Sequence, residues 1–294
     1  DLAGRLRSIM QGHHFREFLY DHKGNLTDAY YDHRDHIQSV ADRIGNLYPD
    51  ESYPFRKVEY DKGGRIREDQ DWTYHLNEEG FLLKRVSKSV VVERYDYIKR
   101  KRFTEPQTWT YEWDGAGQLI AVSNNEQKDM GGQPVSLRFE YDALGRRTAK
   151  ISVWGRSVYH RVTRFLWDGD IPLHEWTYEG SEPPKTKLTK EGHRYYPEGE
   201  PETELTTWLF EEGTFVPLAK FVGERSYSIG CDHLGTPTAA YDEAGNRVWQ
   251  RELDIYGRVR QEEGETNFVP FLFQGQYYDV ETKLAYNRFR YYAP

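Results

Sequence analysis

The stretch FEYDALGRRTAKI, residues 139–151, contains the pattern that decides the fold. An aromatic residue precedes Asp142, Gly145 follows the aspartate by three positions, and alternating apolar residues lie on both sides. Ten aspartates in the chain have glycine three residues later, where about two are expected by chance from the composition. The spacing is therefore a repeat. Its members begin at Asp1, Asp21, Asp42, Asp61, Asp114, Asp129, Asp142, Asp232, Asp242 and Asp254.

The chemistry of this spacing is that of a turn. Aspartate at the first position of a type I turn accepts hydrogen bonds from backbone N–H groups ahead of it, and glycine three residues on takes the positive φ that closes a hairpin with a bulge. Asn77 and Gly80 form a degenerate copy. The repeat therefore predicts hairpin corners with structural aspartates, in an all-β fold built on one long meandering antiparallel sheet. Uneven spacing of the copies argues against a solenoid of identical rungs.

Three segments need separate interpretation. Residues 36–48, HIQSVADRIGNLY, have apolar residues at helical spacing but also contain the turn pattern at Asp42, and the turn is the favoured interpretation. Residues 179–205 are rich in Pro, Glu, Lys and Gly, which predicts an exposed insertion. Residues 124–134 are a shorter loop of the same kind, and neither insertion is expected to be a domain boundary because the turn pattern resumes afterwards.

The composition supports a sheet with little aliphatic core. Val, Ile, Leu and Phe make up about 21% of the chain, near the lower limit for building a core, whereas aromatic residues make up 15%. Aromatic side chains favour strands and bury a large area each. With a net charge of −8 and a mean hydropathy of −0.89, we expect a wet surface and packing by half-exposed aromatic ladders.

Several classes of protein are disfavoured. No apolar run reaches the length of a membrane-spanning helix, and the N-terminus, DLAGRLRSIM, lacks the layout of a signal peptide. The single cysteine, Cys231, excludes an internal disulfide and permits a reducing compartment. The net negative charge of the chain does not indicate binding to nucleic acid. The basic run 99–102 is predicted to be the solvent-exposed end of a strand.

Several stretches of sequence that are longer than the repeat resemble one protein family. The chain resembles the YD repeats of the Rhs family of bacterial polymorphic toxins, shared with the C components of Tc toxins and with teneurins. Residues 231–260 and 270–294 resemble the terminal part of the Rhs core of the type associated with type VI secretion effectors. Lys283 departs from the family pattern, which usually has glycine there, so the resemblance does not give the turn geometry at this position. The other phrases are residues 39–48, 111–122, 139–150, 165–176 and 207–221.

The resemblance implies that residues 1–294 are an Rhs-core fragment, part of a hollow β-cocoon that encloses a toxic C-terminal domain. It also implies that the N-terminal docking region, the aspartyl autocleavage segment and the toxin lie outside this sequence, which contains no Asp-Pro pair. Expected partners are the remainder of the shell, its toxin cargo and, through the absent N-terminal region, type VI spike proteins. Exposed strand edges predict a covering partner or self-association.

The sequence contains only weak evidence for catalytic or metal-binding residues. Residues 32–36, DHRDH, lack the asparagine of the kinase motif, and on a strand their histidines and aspartates point to different faces, so neither a kinase nor a metal site is expected. His13 and His14 are assigned to a surface strand. Cys231 precedes Asp232 and His233, but a buried structural cysteine is favoured over a nucleophile. We therefore predict no catalytic residue, no cofactor and no metal ion.

The functional expectation is a non-enzymatic shell in interbacterial competition, made in the bacterial cytoplasm and then secreted or delivered into target cells. Two alternatives stay open. One is an extracellular YD-repeat module that recognises glycans or a receptor, and the other is an aspartyl self-cleaving protein, which requires a segment beyond Pro294.

Overall fold

Every regular element of the described residues is a β-strand. The computed structural model describes residues 3–11, 14–32, 35–42, 46–48, 58–96, 101–125, 136–154, 159–180, 187–192, 194–195 and 204–294. Within these ranges the all-β prediction is confirmed. The chain divides into two compact units, Asp1–Thr108 and Trp109–Pro294, which the sequence did not indicate.

The first unit contains ten strands and the beginning of an eleventh. The first four strands form an antiparallel sheet in the order β1-β2-β3-β4, and β5 pairs with β6. Strands β7, β8, β9 and β10 are consecutive antiparallel neighbours. The bounds are β1 Ser8–Gln11, β2 His14–Tyr20, β3 Leu26–Tyr31, β4 Asp35–Gln38, β5 Val40–Ala41, β6 Leu47–Tyr48, β7 Glu59–Asp61, β8 Arg65–Glu68, β9 Trp72–Leu76, β10 Leu82–Asp96 and β11 Lys101–Trp113.

The second unit contains the long meander. Strands β11 to β16 and β19 to β24 are antiparallel neighbours in chain order, with a step from β16 to β19. The bounds are β12 Leu119–Asn124, β13 Ser136–Tyr141, β14 Arg147–Trp154, β15 Tyr159–Asp168, β16 Ile171–Gly180, β19 Thr206–Phe210, β20 Pro217–Val222, β21 Arg225–Cys231, β22 Pro237–Tyr241, β23 Arg247–Leu253 and β24 Val259–Glu263. The predicted meandering antiparallel sheet is confirmed in this unit.

Two smaller pieces accompany the meander. Strands β17 Lys187–Leu188 and β18 Arg194–Tyr195 pair with each other inside the segment for which an exposed insertion was predicted. Residues 181–186, 193 and 196–203 of that segment lie outside the described residues, as do residues 126–134 of the shorter loop. Strands β25 Tyr277–Asp279, β26 Leu284–Asn287 and β27 Arg290–Tyr292 form a three-stranded sheet near the C-terminus.

The Asp-to-Gly repeat forms the predicted hairpin corners. In seven copies the glycine N–H donates to the carbonyl of the aspartate at 3.0–3.2 Å, and each glycine has a φ between +73° and +92°. Asn77 and Gly80 form the same turn, as predicted for the degenerate copy. The other three copies rest partly on residues outside the described ranges. The seven copies begin at Asp21, Asp61, Asp114, Asp142, Asp232, Asp242 and Asp254.

The aspartate side chains are used within their own turns. In six copies one carboxylate oxygen accepts the backbone N–H groups two and four residues ahead, at 2.8–3.0 Å. Hydrogen bonds from the side chains of Asn25 and Asn246 are the largest cause of the lowered pKa of Asp21 and Asp242. These carboxylates are therefore structural acceptors.

The described residues of the ambiguous segment 36–48 form strands. Residues 36–38 belong to β4, and β5 pairs with β6, while residues 43–45 lie outside the described residues. The Asn46 N–H donates to Asp42 Oδ1 at 2.9 Å. The favoured interpretation of a turn rather than a helix is confirmed, because β5 and β6 pair as antiparallel neighbours on the two sides of Asp42.

Lys283 occupies a left-handed backbone position. Its φ is +58°, and its N–H donates to the Asp279 carbonyl at 2.8 Å. The turn therefore retains a glycine-like conformation although its side chain is a lysine. Because a residue with a Cβ is disfavoured in this region, the substitution leaves local strain at this turn.

One face of the meander is covered by residues 264–294, which we call the C-terminal segment. Phe165, Trp208 and Trp249 lie on this face and pack with Phe271 and Tyr286 of the segment in a single apolar cluster. We call this side of the sheet the covered face. Its packing is dominated by aromatic rings, as the composition predicted, but these rings are buried and not half-exposed.

The turn chemistry can be tested at Asp254, which is buried and accepts the N–H groups of Tyr256 and Arg258. Asp254→Ala removes the acceptor of both groups and should lower the free energy of unfolding by about 2 kcal/mol. Asp254→Asn is the control, because its side-chain oxygen can still accept both bonds. Urea unfolding that gives the same stability for both variants would contradict this assignment.

A substitution that relieves the strain at Lys283 is expected to stabilise the fold, in contrast to Asp254→Ala. Lys283→Gly should raise the free energy of unfolding by about 0.5–1 kcal/mol, since relief of the left-handed conformation outweighs the added freedom of the unfolded chain. Lys283→Ala keeps the strain and removes only the exposed side chain, so it should leave stability unchanged. If thermal unfolding gave the same melting temperature for both variants, the turn would be unstrained.

Candidate functional site

A buried charge cluster joins the sheet to the C-terminal segment. We use this name for Arg147 and Lys150 on β14 together with Asp279 and Glu281. Arg147 donates from Nη1 and Nη2 to the two carboxylate oxygens of Asp279, at 2.5 and 3.1 Å. Both side chains are almost completely buried. The contact joins residues 132 positions apart in the sequence.

Lys150 adds two ion pairs to the cluster, one with Asp279 and one with Glu281. Its Nζ lies 3.2 Å from Asp279 Oδ1 and 3.0 Å from Glu281 Oε2. Two cations therefore face two carboxylates, so the cluster is neutral. A buried charge is tolerated only when it is paired and hydrogen-bonded in this way.

Aromatic rings enclose the Arg147 guanidinium. Its central carbon lies 4.5–5.3 Å from four ring centroids, which are the distances of cation–π contacts. Two rings come from the sheet and two from the C-terminal segment. The four are Phe139, Phe165, Tyr277 and Tyr286.

The backbone of Arg147 is fixed as firmly as its side chain. Its N–H donates to the Tyr286 hydroxyl at 2.9 Å, and its carbonyl accepts from Trp167 Nε1 at 2.7 Å. The register of β13 and β14 shifts between Glu140 and Tyr141, next to the turn that begins at Asp142. The repeat turn thus determines where Arg147 enters the strand.

The cluster shifts the pKa values of its members. Burial alone would raise the pKa of Asp279, but Arg147 and Lys150 outweigh it and lower that pKa below its ordinary value. Burial opposes the charge of Lys150, yet Asp279 and Glu281 raise its pKa. Both groups are therefore held in their charged forms, and the arrangement is suited to holding two segments together.

Beside the cluster lies a pair of groups whose charges are disfavoured. Burial raises the pKa of Glu175, whose carboxylate accepts the Tyr277 hydroxyl at 2.8 Å. Burial lowers the pKa of Lys220, whose Nζ donates to the Phe268 carbonyl at 2.8 Å. Lys220 also lies 3.8 Å from the centroid of the Phe268 ring. These contacts again run from the sheet to the C-terminal segment.

The residues singled out in the sequence do not join this cluster. Cys231 is half-buried and donates to the Pro217 carbonyl, with a sulfur-to-oxygen distance of 3.4 Å. Burial and then Asp232 raise the pKa of its thiol to about 11, which disfavours the reactive thiolate. Its assignment as a structural cysteine stays a prediction.

The histidines of the first unit form separate contacts. His14 Nδ1 lies 2.9 Å from Asp32 Oδ2, and His36 Nε2 lies 2.8 Å from Asp28 Oδ1 while its ring stacks on Tyr30. His13, His33 and Arg34 lie outside the described residues, as do Lys99 and Arg100 of the basic run. In the part of the chain that is described, no three side chains of metal-ligand type lie together.

Sequence reasoning missed the charge cluster. The only available signal was positional, since Arg147 falls five residues after its turn aspartate, where Leu26 and Leu119 occupy two other copies. The signal is not specific, because Arg247 occupies the same position after Asp242 and is exposed, and nothing local identifies Asp279. No helix in the described ranges is long and apolar enough to span a membrane.

Comparison with known proteins agrees with this architecture. The family described as Teneurin YD-shell matches residues 8–170, and the family described as RHS protein matches residues 229–263. This chain belongs to the Rhs and YD-shell family. The suspected resemblance is therefore confirmed, and the meander with its Asp-to-Gly corners is the YD-repeat sheet.

Curated relatives of this YD-shell chain include toxins and teneurins. "Toxin protein Tse5" of Pseudomonas aeruginosa strain PAO1 is 33% identical over 62% of this chain and 14% of its own length. "Double-stranded DNA deaminase toxin A" of Burkholderia cenocepacia strain H111 is 26% identical over 100% of this chain and 18% of its own length. Mouse Teneurin-4 is 25% identical over 92% of this chain and 8% of its own length. The YD-shell chain thus spans less than a fifth of each relative.

A chain in the crystal structure of TcdB2-TccC3-TEV is also similar to this one. The TM-score is 0.48 at 14% identity, over 96% of the YD-shell chain and 15% of the other.

The charge cluster predicts a large loss of stability when one partner is removed. Asp279→Asn leaves Arg147 buried without a counter-charge and should lower the free energy of unfolding by about 3–5 kcal/mol at neutral pH. Asp279 has a lowered folded pKa, so its contribution is present above pH about 4 and is lost as the pH falls through the folded value. The difference between wild type and variant should therefore shrink in acid, as measured by urea unfolding.

Two controls separate this effect from a general sensitivity to mutation. Arg147→Met combined with Asp279→Leu replaces both charges by apolar groups and should lose less stability than Asp279→Asn alone. Arg247→Met breaks an exposed ion pair with Glu263 and should cost less than about 1 kcal/mol. Equal losses for Asp279→Asn and Arg247→Met would contradict the assigned role of the cluster.

Proposed function

We propose that this chain is part of the wall of a shell that encloses a toxic C-terminal effector in an Rhs polymorphic toxin. The observation that carries the proposal is the form of the sheet. Its corners join neighbouring strands in chain order along one layer, and in six of the described corners the aspartate accepts hydrogen bonds from groups of its own turn. Such a sheet provides a wall, and these six carboxylates serve the turns.

The relatives support a toxin context. The bacterial proteins whose names are given above are toxins, and each is several times longer than the part that aligns with this chain. A long protein of which the shell is one part has room for an effector and for a docking region. In this proposal the chain is not an enzyme, and any toxic or self-cleaving activity belongs to other segments of the whole protein.

The finer parts of the proposal follow from the family. We infer delivery by type VI secretion, with spike proteins bound through a region N-terminal to this chain, and a role in competition between bacteria. The toxin would be held in the bacterial cytoplasm before export into target cells. Self-association through strand edges, when the rest of the shell is missing, belongs to the same proposal.

A physical barrier is sufficient for this role. The wall would keep protease and cytoplasmic targets away from its cargo by sterics, with weak contacts on its inner side. The charge cluster would contribute by holding the C-terminal segment on one face of the sheet. A substitution that destabilises the wall should then also reduce the protection of the cargo.

The test uses the full-length parent protein and limited proteolysis. We expect the effector region to resist protease in the intact protein and to be digested rapidly when it is expressed without the shell. Asp279→Asn should increase the digestion rate, whereas Arg247→Met should leave it unchanged. An effector that is digested equally fast with and without the shell would overturn the proposal.

The match to the Teneurin YD-shell family over residues 8–170 keeps a second function in view, a binding module for glycans or a receptor. A glycan array probed with the chain distinguishes the two functions, because a plain wall should bind no glycan on it.

A further inference from the structure

A polar cavity of about 700 Å³ lies in the second unit, between the covered face of the sheet and the C-terminal segment. Its sheet side is formed by β14 to β16 and β19 to β21, and its other side by groups from residues 265–270 and 277–281. This is a volume at which proteins bind small guests. It is therefore large enough for a ligand, and its chemistry decides which one.

Cations and carboxylates line the cavity in equal number. Arg161 and Arg225 lie at its exposed part, and Lys220 lies deeper, under Phe268. Glu204 and Glu265 are exposed beside them. An anionic ligand such as a phosphate would meet as much negative as positive charge here, so the balance favours a ligand that contains both hydrogen-bond acceptors and donors. The four cations are Lys150, Arg161, Lys220 and Arg225, and the four carboxylates are Glu175, Glu204, Glu265 and Glu281.

A polypeptide main chain is such a ligand, and the same face already binds carbonyl groups of one. Lys220 Nζ donates to the Phe268 carbonyl at 2.8 Å, and Arg251 Nη1 donates to the Val269 carbonyl at 3.0 Å. Arg251 Nη2 also donates to the Phe271 carbonyl. Cationic side chains of the sheet thus hold three main-chain carbonyls of the C-terminal segment. This recognition does not depend on the side chains of the bound segment.

The exposed charges at the cavity are available for rearrangement. Arg225 approaches Glu204 at 3.5 Å, and both side chains are more than half exposed, so their attraction is screened by water. Arg161 opposes Ser152 in the sheet and is also exposed. A guest backbone could replace these weak contacts with hydrogen bonds to charged groups, which are the stronger kind.

We propose that this cavity binds a short extended segment of polypeptide through its main chain. Arg161 and Arg225 donate to guest carbonyls, and Glu204 and Glu265 accept guest N–H groups. The inference rests on the proposed function only in the identity of the natural guest, which would be a segment of the enclosed effector. Binding itself is a property of this chain and can be measured without the effector.

The probe is a capped, uncharged, fluorescein-labelled peptide of about ten residues composed of Ser, Thr and Val, titrated against the full 294-residue chain by fluorescence anisotropy. Arg161→Ala combined with Arg225→Ala should weaken binding about thirtyfold, since two bonds to charged donors are lost and each contributes on the order of 1 kcal/mol. Arg138→Ala is the matched control, because Arg138 is exposed and lies on the opposite face from Lys150. Its affinity should stay within about twofold of wild type.

A second probe tests recognition of the main chain. The same peptide with N-methylated alternate amides keeps its side chains but loses N–H donors, so it should bind more weakly than the parent peptide. Equal binding of both peptides, equal affinity of the double variant and Arg138→Ala, or no binding of the parent peptide would each overturn the inference. Protection of the effector in the full-length protein would be unaffected by these outcomes, so the two proposals fail separately.

Discussion

The buried pair of Arg147 and Asp279 is the interaction on which the second unit depends. It connects a strand in the middle of the sheet to a segment more than a hundred residues later, and its removal from water is tolerated because two charge-assisted hydrogen bonds pair the guanidinium with the carboxylate. The aromatic rings around the guanidinium come from both sides of the junction. The charge and the apolar packing therefore stabilise the same contact, and neither is possible without the other.

The pair depends in turn on the repeat. The turn at Asp142 is closed by two backbone N–H groups on one carboxylate oxygen, and the register shift beside it fixes the side to which Arg147 points. A slip of one residue would move Arg147 to the opposite face and would break its paired contact with Asp279. The local hydrogen bonds of the turn at Asp142 thus position Arg147 for a contact with a residue far away in the sequence.

Much of the fold was predictable because its signal is local. The Asp-to-Gly spacing predicted the corners, the degenerate copy at Asn77 and the pairing of β5 with β6 around Asp42, since each turn is built from five successive residues. The charge cluster was not predictable, because Asp279 and Arg147 meet only through tertiary structure. Lys283 was visible as a departure from the family, but only the structure shows that the left-handed turn persists. The division at Thr108 had no compositional signal.

The covered face also explains how a chain with few aliphatic residues can hold a long segment in place. Aromatic rings provide area, and cations above those rings bind carbonyl groups that every polypeptide has. An aliphatic core would select the C-terminal segment by shape, so each position would tolerate few side chains. Cation-to-carbonyl contacts place weaker demands on the sequence of the bound chain, because their acceptor is the backbone. The sheet therefore holds the C-terminal segment firmly through buried ion pairs, and the proposed cavity would bind other segments weakly through the main chain, using the same residue types for both.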